Sequence, residues 1–132
     1  MKPRSSEVGS SAQRERVLRA CAKLPGVELT YPFGEGTAVF KVGDRMFAVA
    51  GEDEEPSRLT LKCDPDYGTY LTQQFDDIVP GYHMNKRHWI TITLVPRVSK
   101  DLIDDLISNS YDLIVAALPA HAREALESHP RG

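Results

Sequence analysis

The sequence is short of the features that usually announce a chemistry. It has only two cysteines in 132 residues, Cys21 and Cys63, far apart and in no CxxC pair. That excludes a disulfide framework and a thiolate zinc site, and it reads as two reduced intracellular thiols. No apolar run approaches the roughly 20 residues needed to span a bilayer. The opening Met1-Lys2-Pro3-Arg4-Ser5-Ser6-Glu7 lacks the apolar segment of a secretory signal. No glycine cluster sits between a strand and a helix with Lys and Ser/Thr behind it, so Gly34, Gly36, Gly43 and Gly51 read as turn residues, not a phosphate loop. No sign of charge dominates. Sixteen Lys and Arg stand against nineteen Asp and Glu, a net charge of −3, which excludes a generally basic coat for nucleic acid but leaves room for a local basic face.

What is present suits one ordinary domain. A hydrophobic share of 41% and a charged share of 27% support a packed core and exclude global disorder. A chain of this length buries roughly two-thirds of its unfolded surface. The expected organisation is a flexible tail over residues 1–11, one domain over 12–128 and a short tail over 129–132. The chain is expected to be monomeric and cytoplasmic, with no membrane contact, no cofactor and no metal.

The periodicity predicts an α1 helix from about Ala12 to Leu24. Val17, Leu18, Cys21 and Leu24 form its apolar stripe, Arg14, Glu15, Arg16 and Lys23 its polar side, and Pro25-Gly26 its end. Strands follow at 27–32, 37–42, 45–50 and 58–63, with a tight hairpin at Gly43-Asp44. Asp64 is a good N-cap with Pro65 behind it, predicting a helix to Phe75. A strand over 89–94 and a long helix capped by Ser99 come next. That helix carries Asp101, Asp104 and Asp105 near its positive end. Asn109-Ser110-Tyr111 is expected to interrupt it locally, and Ala120 to Glu127 to add a short last helix. The pattern α-β-β-β-β-α-β-α predicts an α+β two-layer sandwich, a largely antiparallel sheet with helices on one face.

The richest stretch is Pro80-Gly81-Tyr82-His83-Met84-Asn85-Lys86-Arg87-His88-Trp89, which runs into the alternating Ile90-Thr91-Ile92-Thr93-Leu94. Here a turn, two histidines, two cations and the single tryptophan crowd the entry to a strand. Such a cluster serves either as a surface function or as a well-anchored structural corner.

Together with Pro32-Phe33-Gly34, Val39-Phe40-Lys41-Val42, Arg45-Met46-Phe47, Leu59-Thr60-Leu61-Lys62-Cys63-Asp64-Pro65, Ser110-Tyr111-Asp112-Leu113-Ile114 and Leu118-Pro119, this stretch resembles the MmcQ/YjbR-like family of small bacterial proteins. The likeness spans about residues 14 to 126. It implies a frataxin-like α+β fold and a DNA-binding role through β-hairpin wings, and it brings no catalytic constellation to carry over.

With that resemblance, Lys41, Arg45, Lys62, Lys86 and Arg87 are the candidate phosphate contacts on a hairpin and sheet face. Such contacts would bind weakly and without reading sequence. The same residues also read as solvated strand ends. The alternative is a protein- or small-ligand-binding module around Tyr82, His83, Trp89 and Arg97. His83 and His88, even with Cys63 and Asp64 nearby, do not make a tetrahedral zinc set. Ser110, Asp112 and His121 supply the letters of a triad without a nucleophile elbow, and Ser110 is expected to bond back to a helix carbonyl. The expectation is a protein that is not an enzyme.

Overall fold

The computed structural model describes residues 5–52, 55–81 and 84–127, with side chains from Ala12 onward. The elements run α1 (Ser5–Ala22), β1 (Val27–Thr30), β2 (Thr37–Val42), β3 (Arg45–Gly51), β4 (Arg58–Lys62), α2 (Pro65–Gln74), β5 (Ile78–Pro80), β6 (Trp89–Thr93), α3 (Lys100–Ala117) and α4 (Ala120–Glu127). One six-stranded sheet has the order β1-β2-β3-β4-β6-β5, and every pairing in it is antiparallel. This is the expected α+β sandwich.

Strand alternation sorts the side chains into two faces. Ala38, Phe40, Ala48, Ala50, Leu59, Leu61, Ile90 and Ile92 are buried on one face, where Val17 and Cys21 of α1 and Ile103, Leu106, Ile107 and Tyr111 of α3 complete the core. α2 joins this layer, because Gly68 faces the side chains of Ile90 and Cys63. α4 does so through Leu126, beside Gly26 and Val42. The other face carries the alternate residues and has no described helix over it. Its central row runs Thr30, Val39, Val49, Thr60, Thr91 and Val79 across all six strands. Within that row the hydroxyls of Thr60 and Thr91 share a 2.8 Å hydrogen bond.

A bulge adjusts the register of β2 and β3. Phe40 pairs with Ala48 and Lys41 with Met46, so Phe47 has no strand partner. Its ring turns into the core against Phe40 and, edge-on, against Tyr111 at 5.6 Å. Its carbonyl accepts from Ser110 Oγ at 2.6 Å. The expected bond from Ser110 to its own helix is therefore replaced by one that satisfies a carbonyl at the bulge. α3 runs unbroken through Asn109-Ser110-Tyr111, since Ser110 and Tyr111 are buried and partnered across the layer. The Tyr111 hydroxyl donates to Pro25 O at 2.6 Å and holds the α1–β1 corner.

The local signals otherwise act as read. Gly43 and Asp44 both have positive φ, 57° and 65°, as a two-residue hairpin turn with matching twist requires. Asp64 accepts from Asp66 N and Ser99 Oγ from Leu102 N, capping α2 and α3. Two boundaries differ. α1 begins at Ser5, not Ala12, so residues 5–11 continue the helix. After Pro3 nothing in that stretch bars helical backbone, and elongating a helix is far less costly than nucleating one. The segment after α2 also contains a strand, β5, which is only three residues long and ends on Pro80.

Candidate nucleic-acid interface

The end of the sheet where β4 finishes and β6 starts is built by register. Lys62 pairs with Trp89, and Cys63 N extends the ladder to His88 O at 2.8 Å. Two strands away, Lys41 pairs with Met46 on one side and Glu28 on the other. Alternation puts Glu28, Lys41, Met46, Lys62 and Trp89 on the open face, in a row along this end. Neighbouring strands lie about 4.8 Å apart, so Lys41 and Lys62 leave the sheet roughly 10 Å from each other.

The turn before β6 adds two more cations. Asn85 Oδ1 accepts from Arg87 N at 2.9 Å, and Asn85 O accepts from His88 N at 3.2 Å. This side-chain-closed turn displays Lys86 and Arg87 to solvent. Lys86 Nζ leans back to Gly81 O at 3.3 Å. Gly81 N donates to Trp89 O at 2.7 Å, and a Cβ on Gly81 would stand 2.6 Å from Trp89 Cβ. Glycine is therefore what lets Trp89 sit against the strand end. Trp89 is half-buried, with Lys62 Nζ 6.0 Å from its ring centroid, at the outer limit of a cation–π contact. On the helix side of this strand end a cleft of about 240 Å³ opens between the start of α2 and the Asn85–His88 turn, with Gly68, Thr69, Thr72, Lys86, Arg87 and Ile90 among its walls.

A family model described as YjbR matches residues 22–113, which run from the end of α1 well into α3. The chain belongs to the YjbR family. Uncharacterized protein YbdF of Escherichia coli O157:H7 is 39% identical over 104 residues, covering 79% of this chain and 85% of YbdF. Uncharacterized protein YjbR of E. coli K12 is 33% identical over 110 residues, covering 83% of this chain and 93% of that one. The crystal structure of Deinococcus radiodurans protein DR2400, with family-model domain DUF419, superposes with a TM-score of 0.80 at 38% identity, over 86% of each chain. A Pseudomonas syringae crystal structure matches with a TM-score of 0.64 at 27% identity, over 76% of this chain and 97% of that one.

Within this YjbR domain the expected residues fall into four groups. Lys41, Lys62 and Trp89 share one face and one end, with Lys86 and Arg87 adjoining. Arg45 stands at the same end but pairs with Val42, whose side chain is in the core, so it leaves the sheet on the helix side. Arg97 is brought nowhere near Trp89. It lies beyond the opposite end of β6, in a two-point ion pair with Asp77 at 2.7 and 2.8 Å. Tyr82 and His83 lie outside the described residues.

Two features of the YjbR domain carry no local signal in the sequence. The α2 wall of the cleft comes from residues some twenty positions away. A second basic surface is formed by Arg16 and Arg19, one turn apart on α1, and Lys23 just past its end, which line a groove against α3 together with Asp104. In that groove Arg16 is paired to Asp104 at 2.6 Å.

Both thiols are free and buried. Burial pushes Cys21 up to about 12, and burial followed by the neighbouring Asp64 charge pushes Cys63 up to about 11. Ser110 Oγ is fully buried and committed to Phe47 O. Among the described residues no three His, Cys, Asp or Glu side chains gather as a metal site would need, and no helix is long and apolar enough to cross a membrane.

Proposed function

We propose that this YjbR-family protein is a non-enzymatic, cytoplasmic nucleic-acid-binding domain that contacts phosphates with the β4–β6 end of its open sheet face. The observation that carries the reading is the register: Lys41, Lys62 and Trp89 fall on one face of one end, and an Asx-closed turn adds Lys86 and Arg87 beside them. Arg offers a planar fork for phosphate oxygens, and Lys a compact charge on a flexible stem. Glu28 beside Lys41 and a net charge of −3 limit the attraction, so binding is weak, salt-dependent and blind to sequence. Arg45 contributes little because it leaves from the other side of the sheet. Two buried, protonated thiols are in keeping with a reducing compartment.

The test is fluorescence anisotropy of labelled DNA with the full chain, from about 50 to about 200 mM salt. Affinity should fall steeply with salt and should be lost in the Lys86→Glu/Arg87→Glu double variant. Binding that ignores both salt and the double variant would refute this face.

A further inference from the structure

We infer that the groove between α1 and α3 binds a small organic phosphate, a phosphate monoester carried on a compact apolar body. The groove lies on the helical side of the molecule, apart from the open sheet face, and stands whether or not that face binds nucleic acid. Its volume is about 430 Å³, inside the roughly 300–1,000 Å³ range of small-molecule sites. Ala20, Leu24 and Ile107 give it an apolar lining that is continuous with the core. Arg16, Arg19 and Lys23 line it from the α1 side. Lys23 N still donates to Arg19 O at 3.1 Å, so helical spacing carries through to Lys23 and the three cations share one stripe. Asp104 is the one acid among the described lining residues, and it is taken up by Arg16. The lining thus holds a surplus of two positive charges, which a phosphate monoester dianion matches. The donors match as well. Arg19, Lys23 and Ser108 are exposed, and their side chains engage no partner among the described residues. Arg16 has five N–H donors for two acceptors: Nη1 donates to Asp104 Oδ1 at 2.6 Å, Nη2 to Gln13 Oε1 at 3.3 Å, and the buried Nε to none. Surplus donors beside a groove are what an acceptor-only group such as phosphate satisfies. A nucleic-acid strand fits less well, because each phosphodiester carries a single charge and is flanked by sugar on both sides. The groove and the sheet face therefore select different ligands.

The full chain is titrated at about pH 8 with phenyl phosphate, methyl phenyl phosphate and inorganic phosphate, reading calorimetry and amide NMR shifts together. Phenyl phosphate is then a dianion with an apolar ring. Its methyl ester keeps the ring and loses one charge, and inorganic phosphate keeps the charge and lacks the ring. Phenyl phosphate should bind at a single site, at least about tenfold more tightly than either of the others, with shifts at Arg16, Arg19, Lys23 and Ile107–Ser108. Arg19→Glu/Lys23→Glu alters two exposed side chains and should weaken its binding at least about tenfold while the urea midpoint holds. Ser108→Phe is the second variant: it fills the groove from an exposed position on α3, leaves every cation in place and should abolish binding. Binding that survives Ser108→Phe, or equal affinity for phenyl phosphate and inorganic phosphate, would mean diffuse attraction to surface cations and would overturn the site. Shifts confined to the Lys41 and Lys62 end of the sheet, or no shift at α1 and α3, would overturn it as well.

Discussion

The two faces of the sheet come from the same strands and differ in everything else. Toward the helices, Phe40, Ala48, Leu59, Leu61, Ile90 and Ile92 are sealed beneath α1 and α3. Away from them, the alternate positions of those strands carry Lys41, Lys62 and Trp89 at one end and a row of Thr and Val through the middle. At the strand ends one residue of displacement therefore separates a core position from a half-exposed one such as Lys41, Lys62 or Trp89, whereas Val39, Thr60 and Thr91 in the middle of the row are themselves buried. The bulge at Phe47 shows the same economy. It adds one more core ring on β3 while keeping Met46 and Lys41 on the open side. Substitutions should divide accordingly, into those that unfold the domain and those that only change what it binds.

The largest effect is expected on the covered face. Phe47→Ala removes a ring packed on Phe40 and Tyr111 and should cost about 3–5 kcal/mol in urea unfolding. That is a large part of a small domain's stability. A cost under about 1 kcal/mol would mean that the bulge residue is not a core anchor. Ser110→Ala should cost about 1–3 kcal/mol, because it strands the buried Phe47 carbonyl. On the open face the pattern should invert. Lys62→Glu is expected to shift unfolding by no more than about 0.5 kcal/mol while lowering the slope of log affinity against log salt by roughly one phosphate contact.

A smaller effect concerns pH. Cys21 is raised from 9.0 to about 12, so the folded chain keeps a proton that the unfolded chain releases. The associated stability is intact below pH 9 and is lost as pH climbs toward 12. Urea midpoints taken through that range should decline less steeply for Cys21→Ala than for the parent chain. The smallest effect belongs to Arg97→Ala. It breaks an exposed pair with Asp77 at the far end of β6 and should leave nucleic-acid affinity unchanged. A clear loss of affinity there would mean that the interface runs along the whole sheet and not at one end.

The parts of this molecule legible in the sequence are those governed by near neighbours. Asp64 and Ser99 cap their helices with bonds two and three residues long, and Gly43-Asp44 closes its hairpin by backbone conformation alone. β5 was not legible, because Ile78-Val79-Pro80 is too short to show a period and becomes a strand only by lying along β6. The partner of Ser110 is not legible, because it lies 63 residues away at a bulge that no local pattern announces. The candidate site was half legible. Its cations and tryptophan stand together in the chain, but Lys41 and the α2 wall of the cleft reach it only through folding, and Arg97 is carried away from it along β6. The cations of α1 were visible one by one, and their meeting with α3 in a groove was not.

That α1 surface makes the most direct test a map rather than an affinity. Amide shifts of the isotope-labelled full chain are followed by NMR as a short oligothymidylate is added at low salt. Perturbations should concentrate on Lys41, Met46, Lys62 and the Lys86–Trp89 segment, and spare α1. Shifts centred on Arg16, Arg19 and Lys23, with the open face silent, would contradict the account and move the interface to the helical side of the molecule.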